Sequence, residues 1–486
     1  MTFSGYYIEF DMTAALLTCT HSPIWIGSEC HMYGATASER CILAMISRST
    51  AGTESGGIDR RTLLKTVGGS ALAVALAGCT ELLEGEDDSL ANADVPDEPV
   101  ESGLQTFTEG APAVLGVQAR YGAETAVRRI NENDGIAGRE MNLDVVEEGG
   151  AYLTNYQQFV DEGKDVTFGP ISSSGHAEMV PEIEAQEVIN VSTDGTVTTL
   201  YEEDFPDVTY SFRFQNHDVM EALAAVEQAV EVLGADSIDT YAGINPNYAF
   251  GQDEMKLFSQ GIEKLTGAEQ VYSGFPELGA SDMSTHITEV NGQAPDVVFS
   301  SCWGGDATLL LEQGHANDIF DNVDLLVGPV LYGSANDMSE DLVQGPIYSG
   351  SRNFYWGEPS TDRWSPAADL VDEVQSEYGV VPTAHFMSGY GAVTAWATAA
   401  EKAVRLLGRW PEQEELATIL ENHGFFTPAG YHTIGADHQG YSNAHFGELA
   451  WSDEHDAAAL SDVSVFAAKN VSPPPGEVSA DWIGSW

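Results

Sequence analysis

From Ala111 onward, short apolar runs alternate with stretches of helical spacing, and this alternation restricts the fold more than any other feature of the chain. Residues 122–133, with Ala123, Ala126, Val127 and Ile130 on one stripe, predict a helix, and 141–146 predict the strand after it. Further helices are expected over 156–163, 178–186, 220–233, 253–266, 283–290 and 307–313. Strands are expected over 166–169, 188–192, 237–244, 270–275 and 295–300. Repeated βα units of this length imply an α/β fold, a mostly parallel sheet with helices on both faces. The residues from 112 to 486 exceed what one core holds, so two such domains are expected.

Charge narrows the partners. Asp and Glu number 76 against 19 Lys and Arg, a net charge of -57. Phosphate backbones and anionic membrane surfaces need clustered cations, so neither nucleic acid nor a lipid surface is an expected partner. Apolar residues at 43% are enough for full cores, which excludes an acidic disordered chain. A carboxylate-covered surface stays hydrated in molar salt, where the Debye length falls to roughly 3 Å. The chain therefore reads as halophilic.

Residues 59–79 carry a second, separate message. Arg60, Arg61 and Lys65 precede an apolar run over 67–77 and the small-residue sequence Leu76-Ala77-Gly78-Cys79. A basic region, a short apolar region and a small-residue cleavage site make an export signal, and the run is too short to span a bilayer. Arg60-Arg61 with Leu63-Leu64-Lys65 resembles a twin-arginine signal. Leu-Ala-Gly-Cys resembles a lipobox, which implies that Cys79 is lipidated and becomes the first mature residue. Residues 1–58 are too long for such a signal. Residues 1–45 hold four acids, one base and three of the five cysteines, unlike the remainder. They are expected to be a misannotated or extra segment, with Met45 as the alternative start. Beyond Cys79 only Cys302 remains, so no disulfide framework is expected. Residues 80–111 contain ten acids and no base, and predict an acidic disordered tether.

In open α/β sheets ligands bind beyond the carboxyl ends of the strands. That directs attention to four loops, 169–175, 192–196, 245–248 and 301–305. Ser172, Ser173, Asp194 and Thr196 offer hydroxyls, a carboxylate and helix N-termini, and Tyr248 and Trp303 offer aromatic faces. The same residue types also populate ordinary turns. Among twelve histidines, His432, His438, His445 and His455 cluster in sequence but show no metal-ligand spacing, so no metal and no cofactor are expected. Catalytic elbows and phosphate loops are missing and Ser172–Ser174 have no sequence-visible base, so an enzyme is not expected. The alanine-rich stretch 391–407 reads as close-packed core. Of the sequons at Asn190 and Asn470, only Asn470 avoids a buried strand.

A set of motifs then runs in a familiar order. Ile130-Asn131 with Gly135-Ile136-Ala137-Gly138-Arg139, Gly169 to Ser174, Ile189 to Thr196, Tyr248-Ala249-Phe250-Gly251, Ser281 to Ser284, Pro295 to Val298 and Gly389 to Ala392 together resemble type I periplasmic binding proteins of the branched-chain amino acid and amide group, here as a haloarchaeal lipoprotein. The resemblance covers about 112 to 455. It implies two Rossmann-like lobes joined by a three-crossover hinge, the first at 112–213 plus 353–428 and the second at 214–352 plus 429–486. It also implies crossovers near 213, 349–353 and 427–430.

The resemblance further implies a lipid-anchored receptor at the extracellular membrane face, serving an importer with permease and ATPase subunits. Its solute would be an amino acid, an amide or a small carboxylate. A sensory module feeding a membrane transducer is the alternative, and a secreted α/β enzyme the third reading. By the same resemblance Ser172 or Ser173 and Thr196 hold the polar head of the solute, while Tyr248 and Trp303 enclose its body. Val330 stands where amino acid binders carry the glutamate that pairs with the ligand ammonium. Asp194 either replaces that charge from the opposite side or is a turn residue, in which case an amide or carboxylate is the expected solute.

Overall fold

A computed structural model of the protein describes residue 90 and residues 93–357 and 365–486. Residues 1–58, the export signal with Arg60 and Arg61, the lipidation site Cys79 and most of the expected tether lie outside the described residues. The chain runs β1 (Val100–Thr106), α1 (Ala113–Glu132), β2 (Met141–Glu147), α2 (Tyr152–Asp161), β3 (Val166–Phe168), α3 (Ser173–Gln186), β4 (Asn190–Ser192) and β5 (Ser211–Arg213). A second series follows: α4 (Asp218–Leu233), β6 (Thr240–Ile244), α5 (Ala249–Thr266), β7 (Glu269–Gly274), α6 (Ser284–Gln293), β8 (Val297–Phe299), α7 (Gly305–Ala316), β9 (Leu325–Gly328) and β10 (Ile347–Gly350). Then come α8 (Ser365–Tyr378), α9 (Ala384–Leu407), α10 (Gln413–Leu420), β11 (Gly424–Thr427), β12 (Gly430–Ile434), β13 (Gly440–Tyr441), β14 (Ala444–Ser452) and β15 (Ala457–Phe466).

The first five strands form a parallel sheet in the order β2-β1-β3-β4-β5. The next five repeat it as β7-β6-β8-β9-β10, again parallel, and β14 and β15 extend this sheet antiparallel beyond β10. Each lobe is therefore doubly wound, with its chain reversal beside its first strand, where a crevice opens. Val100, Leu104, Phe168, Val191 and Phe212 build the first core with α9, whose Trp396 is buried. In the second lobe Tyr241, Phe299 and Val327 pack under α4 and α5 on one face. Ala242, Val298 and Leu326 pack under α6 and α7 on the other.

Local chemistry fixes several boundaries. The Ser172 hydroxyl accepts from the Gly175 N–H at 3.1 Å and caps α3, and Glu412 with Glu415 forms a capping box on α10. α1 and α9 cross in backbone contact. A Cβ on Gly122 would lie 1.8 Å from the Phe386 carbonyl oxygen, and one on Gly389 would lie 1.9 Å from that of Ala119.

Two expectations are corrected. The tether does not extend to 111: residues 100–106 are β1, an interior strand of the first sheet between β2 and β3, with Val100 and Leu104 fully buried. The acid count of residues 80–111 hid the strand, whose one acid, Glu101, is partly exposed and pairs with Lys164 while Val100 and Leu104 are buried. The third crossover is not at 427–430. Those residues are the tight turn of a hairpin that folds β12 back on β11, and Phe425 and Ile434 belong to the first core. The chain returns to the second lobe only between Ile434 and Ala444, so lobe 1 reaches back to residue 93 and forward past 428.

Candidate ligand cavity between the lobes

Both crevices face one cavity of about 310 Å³. Phe107 follows β1, Tyr152 begins α2, Ile171 to Ser174 follow β3, and Asp194 and Thr196 follow β4. From the other lobe, Tyr248 follows β6, Glu277 and Leu278 follow β7, Trp303 follows β8 and Val330 follows β9. Each of these segments thus leaves the carboxyl end of a parallel strand. Leu115, Ile171 and Val197 from the first lobe meet Phe250, Trp303 and Val330 from the second in one apolar cluster, so the lobes are closed over the cavity.

Each wall is held from behind. Glu148 accepts from the N–H groups of Ile171 at 3.0 Å and Ser172 at 2.7 Å, fixing the serine loop; burial pushes its carboxyl up to about 8. Among the described residues the N–H groups and hydroxyls of Ser173 and Ser174 have no hydrogen-bond partner, so the α3 N-terminus presents free donors to the cavity. Ser172 differs, because its hydroxyl caps α3. On the facing lobe, Asn245 Oδ1 accepts from Ser301 N and Oγ, both at 2.8 Å, which sets the loop carrying Trp303. Trp303 Nε1 donates to the Tyr248 hydroxyl at 2.8 Å, locking the two rings as one wall.

The floor is ionic. Arg352, on the second crossover, donates from Nη1 to Asp194 Oδ2 at 2.6 Å. His385, at the start of α9, reaches the same oxygen with Nε2 at 3.1 Å. On its other side Arg352 lies 2.9 Å from Glu221 Oε1 through Nε. Arg352 and His385 hold Asp194 below the usual carboxylate range against the opposing effect of burial. Burial holds His385 below the usual histidine range, so its ring is neutral. Among the described residues Asp194 Oδ1 has no hydrogen-bond partner, which leaves it as an acceptor on the floor.

All six residues singled out from the sequence, Ser172, Ser173, Asp194, Thr196, Tyr248 and Trp303, line this one cavity, and so does Val330. Sequence reasoning missed Arg352, His385 and Tyr152. The four C-terminal histidines are dispersed: His432 bonds Thr427, His438 stacks on Phe212, His445 bonds the Arg352 carbonyl and His455 bonds Gln375. Among the described residues no three His, Cys, Asp or Glu side chains form a metal-binding group.

Two doubly wound lobes of identical strand order, joined by three crossovers and closed on a single cleft, define a bilobed solute-binding fold. The chain belongs to the periplasmic binding protein family, whose profile matches residues 99–455. It is similar to the Leu/Ile/Val-binding protein BraC3 of Rhizobium johnstonii, at 24% identity over 69% of this chain and 86% of the relative. Among solved structures it is similar to an ABC-transporter solute-binding protein of Rhodopseudomonas palustris in complex with 3,4-dihydroxybenzoic acid, with a TM-score of 0.66, 16% identity and coverage of 77% and 98%. It is similar also to the closed leucine-, isoleucine-, valine-, threonine- and alanine-binding protein of Brucella ovis, with a TM-score of 0.63, 17% identity and coverage of 78% and 98%. The family places such chains outside the cytoplasm.

Proposed function

We propose that this chain captures a small organic acid or amide for an ATP-driven importer, held at the outer membrane face by a lipid on Cys79 after export through its twin-arginine signal. The acidic surface suits the receptor to high salt. Binding needs no cofactor. A carboxylate or amide oxygen would lie on the free donors of Ser173, Ser174 and Thr196, with an apolar body between Tyr248, Trp303 and Leu115.

One observation carries the choice of solute. Val330 is 3% exposed inside an apolar cluster, the buried carboxylate Asp194 is already neutralised by Arg352, and the other carboxylate lining the cavity, Glu277, is solvent-exposed and bonded to Asn247. An α-ammonium would therefore enter without a counter-charge, at a cost of several kcal/mol. A neutral donor, such as a hydroxyl or amide N–H, suits Asp194 Oδ1 instead.

The test is calorimetric titration of the full chain with leucine, 4-methylpentanoate, 4-hydroxybenzoate and short amides. The carboxylates or amides without an ammonium should bind at least tenfold more tightly than leucine. Tighter binding of leucine would reverse the proposed specificity, and no binding by any of them would remove the proposed solute class.

A further inference from the structure

The hinge holds a second cavity, of about 200 Å³, which shares no lining residue with the cleft. It is lined by Thr198, Tyr201 and Arg213 from the first lobe, His217 from the start of α4, and Gln439 and Tyr441 from the third crossover. Residues 473–478 close it.

Arg213 is 3% exposed, yet no carboxylate among the described residues lies within ion-pair distance of its guanidinium. Nη1 alone is used, donating to the carbonyls of Val197 at 2.6 Å and Gly195 at 3.3 Å. The guanidinium stacks 4.1 Å from the Tyr201 ring centroid. Its Nε has no partner, and neither does Nη2. Two further buried groups, on residues that also line the cavity, are equally bare: Thr198 Oγ1 and His217 Nδ1, on residues 4% and 3% exposed. Burial and the Arg213 charge keep the His217 ring neutral, well below its usual range. His217 also stands at the N-cap of the sixteen-residue α4, the positive end of that helix.

A buried cation with unused donors, flanked by a free hydroxyl and a free ring nitrogen, is costly unless an anion completes it. We propose that this hinge cavity binds a small monoanion, a halide or a short carboxylate, on Arg213, Thr198 and His217. Size and charge limit the class. Glu202, Asp437 and Glu477 also line the cavity, and the charges of Glu202, Asp437 and the neighbouring Asp218 act on Arg213 without reaching ion-pair distance. Glu202 is occupied by the Ser479 N–H and hydroxyl, and Asp437 by the Tyr441 hydroxyl at 2.5 Å. Their charge repels dianions such as sulfate more strongly than monoanions.

The test uses the full chain. Crystals soaked in sodium bromide should show an anomalous peak within hydrogen-bonding distance of Arg213 Nη2. In solution, sodium bromide and sodium acetate should raise the melting temperature along a saturable curve, and sodium sulfate at matched ionic strength should not. The salt that saturates at the lower concentration identifies halide or carboxylate as the preferred form. Thr198→Val is nearly isosteric and removes a hydroxyl that bonds nothing in the chain, so it should fold normally and shift the midpoint about tenfold upward. Arg213→Met should abolish saturation; if it fails to fold, Thr198→Val decides. A cavity holding water alone, a Thr198→Val midpoint equal to that of the parent, or equal saturation by sulfate would each overturn the proposal.

Discussion

Arg352 sits on the second crossover with Asp194 of the first lobe on one side and Glu221 of the second on the other, all three buried. Removing the cation leaves two uncompensated charges in the interior, which is the costly way to break a buried pair. Arg352→Met should therefore destabilise the protein by about 3–5 kcal/mol at neutral pH. The combined change Asp194→Asn, Glu221→Gln and Arg352→Met should recover most of the loss, because it removes the charges together. Urea unfolding of the variants checks both, and an unchanged midpoint for Arg352→Met would show that the network bears no stability. This ion pair also marks where sequence reading stops. Ser173, Thr196, Tyr248 and Trp303 were legible because each lies just past a strand whose apolar run could be read. Arg352 and His385 had no such local sign: one lies on a crossover and the other opens a helix that reads as core, and only the fold sets them 158 residues and more than that from Asp194. Asp194 was visible as an acid in the right loop, but not that its Oδ2 is committed within the protein while Oδ1 stays open.

Helices and strands show the same division between pattern and packing. The middles of α1 to α7 were readable from their apolar stripes, whereas α8 and α10 were missed and ends were not readable: α1 begins at Ala113, and its first turns are recognisable only by their contact with α9. At that crossing Gly122 and Gly389 have no room for a methyl group, so Gly389→Ala must push α9 away from α1. Expected is a fall of several degrees in melting temperature, while Gly408→Ala, in open space past the helix end, should cost only its backbone strain. β1 escaped notice because the ten acids of residues 80–111 dominate a composition count, although Glu101 is the one acid in the strand itself. Helices α4 and α5 carry a further consequence, since Asp218, Glu221 and Glu254 face each other in their packed face. Burial first, and then neighbouring charge, raises Glu254 and Asp218 well above the usual carboxyl range and Glu221 to about 7; Glu148 in the first lobe stands at about 8. A raised folded value makes the unfolded chain release its protons first, so this stability is full below the ordinary carboxyl range and is lost as pH rises to about 8. Buried His176 and His432, both held near about 3, and His423, near about 4, act in the opposite sense and cost stability as pH falls below the ordinary histidine value. The two trends meet in a stability maximum near pH 6, to be read from melting temperatures at constant ionic strength. Glu254→Gln should flatten the alkaline flank and leave the acid flank in place; an unchanged alkaline flank would exclude Glu254 as its source.

At the scale of the whole molecule, charge sets the conditions under which this architecture stands. The βα alternation made two doubly wound units legible, and the ordered motifs assigned them to one family, but neither says how a body with a net charge of -57 stays compact. Local pairing does not answer it. Among the described residues most lysines and arginines already sit in ion pairs, and those such as Arg120–Glu124, Arg405–Glu401 and Arg409–Glu415 are exposed contacts worth at most about 1 kcal/mol each. The unpaired carboxylates therefore repel one another across the surface, and only mobile ions reduce that repulsion. Its range is roughly 10 Å in 0.1 M salt and 3 Å in 1 M, so stability should climb steeply between these concentrations. Melting followed from 0.1 to 3 M sodium chloride should show a continuous rise, whereas sucrose, which strengthens burial without screening charge, should give a smaller one. The hinge anion site cannot mimic this behaviour, because a single site saturates and then contributes nothing further to the slope, while screening continues into the molar range. Thr198→Val separates the two: it should alter the early, saturable part of the curve and leave the molar part parallel to the parent. A melting temperature that does not respond to salt above the saturation point would mean that the carboxylates are spaced widely enough to coexist, and that the acidic surface serves solubility alone.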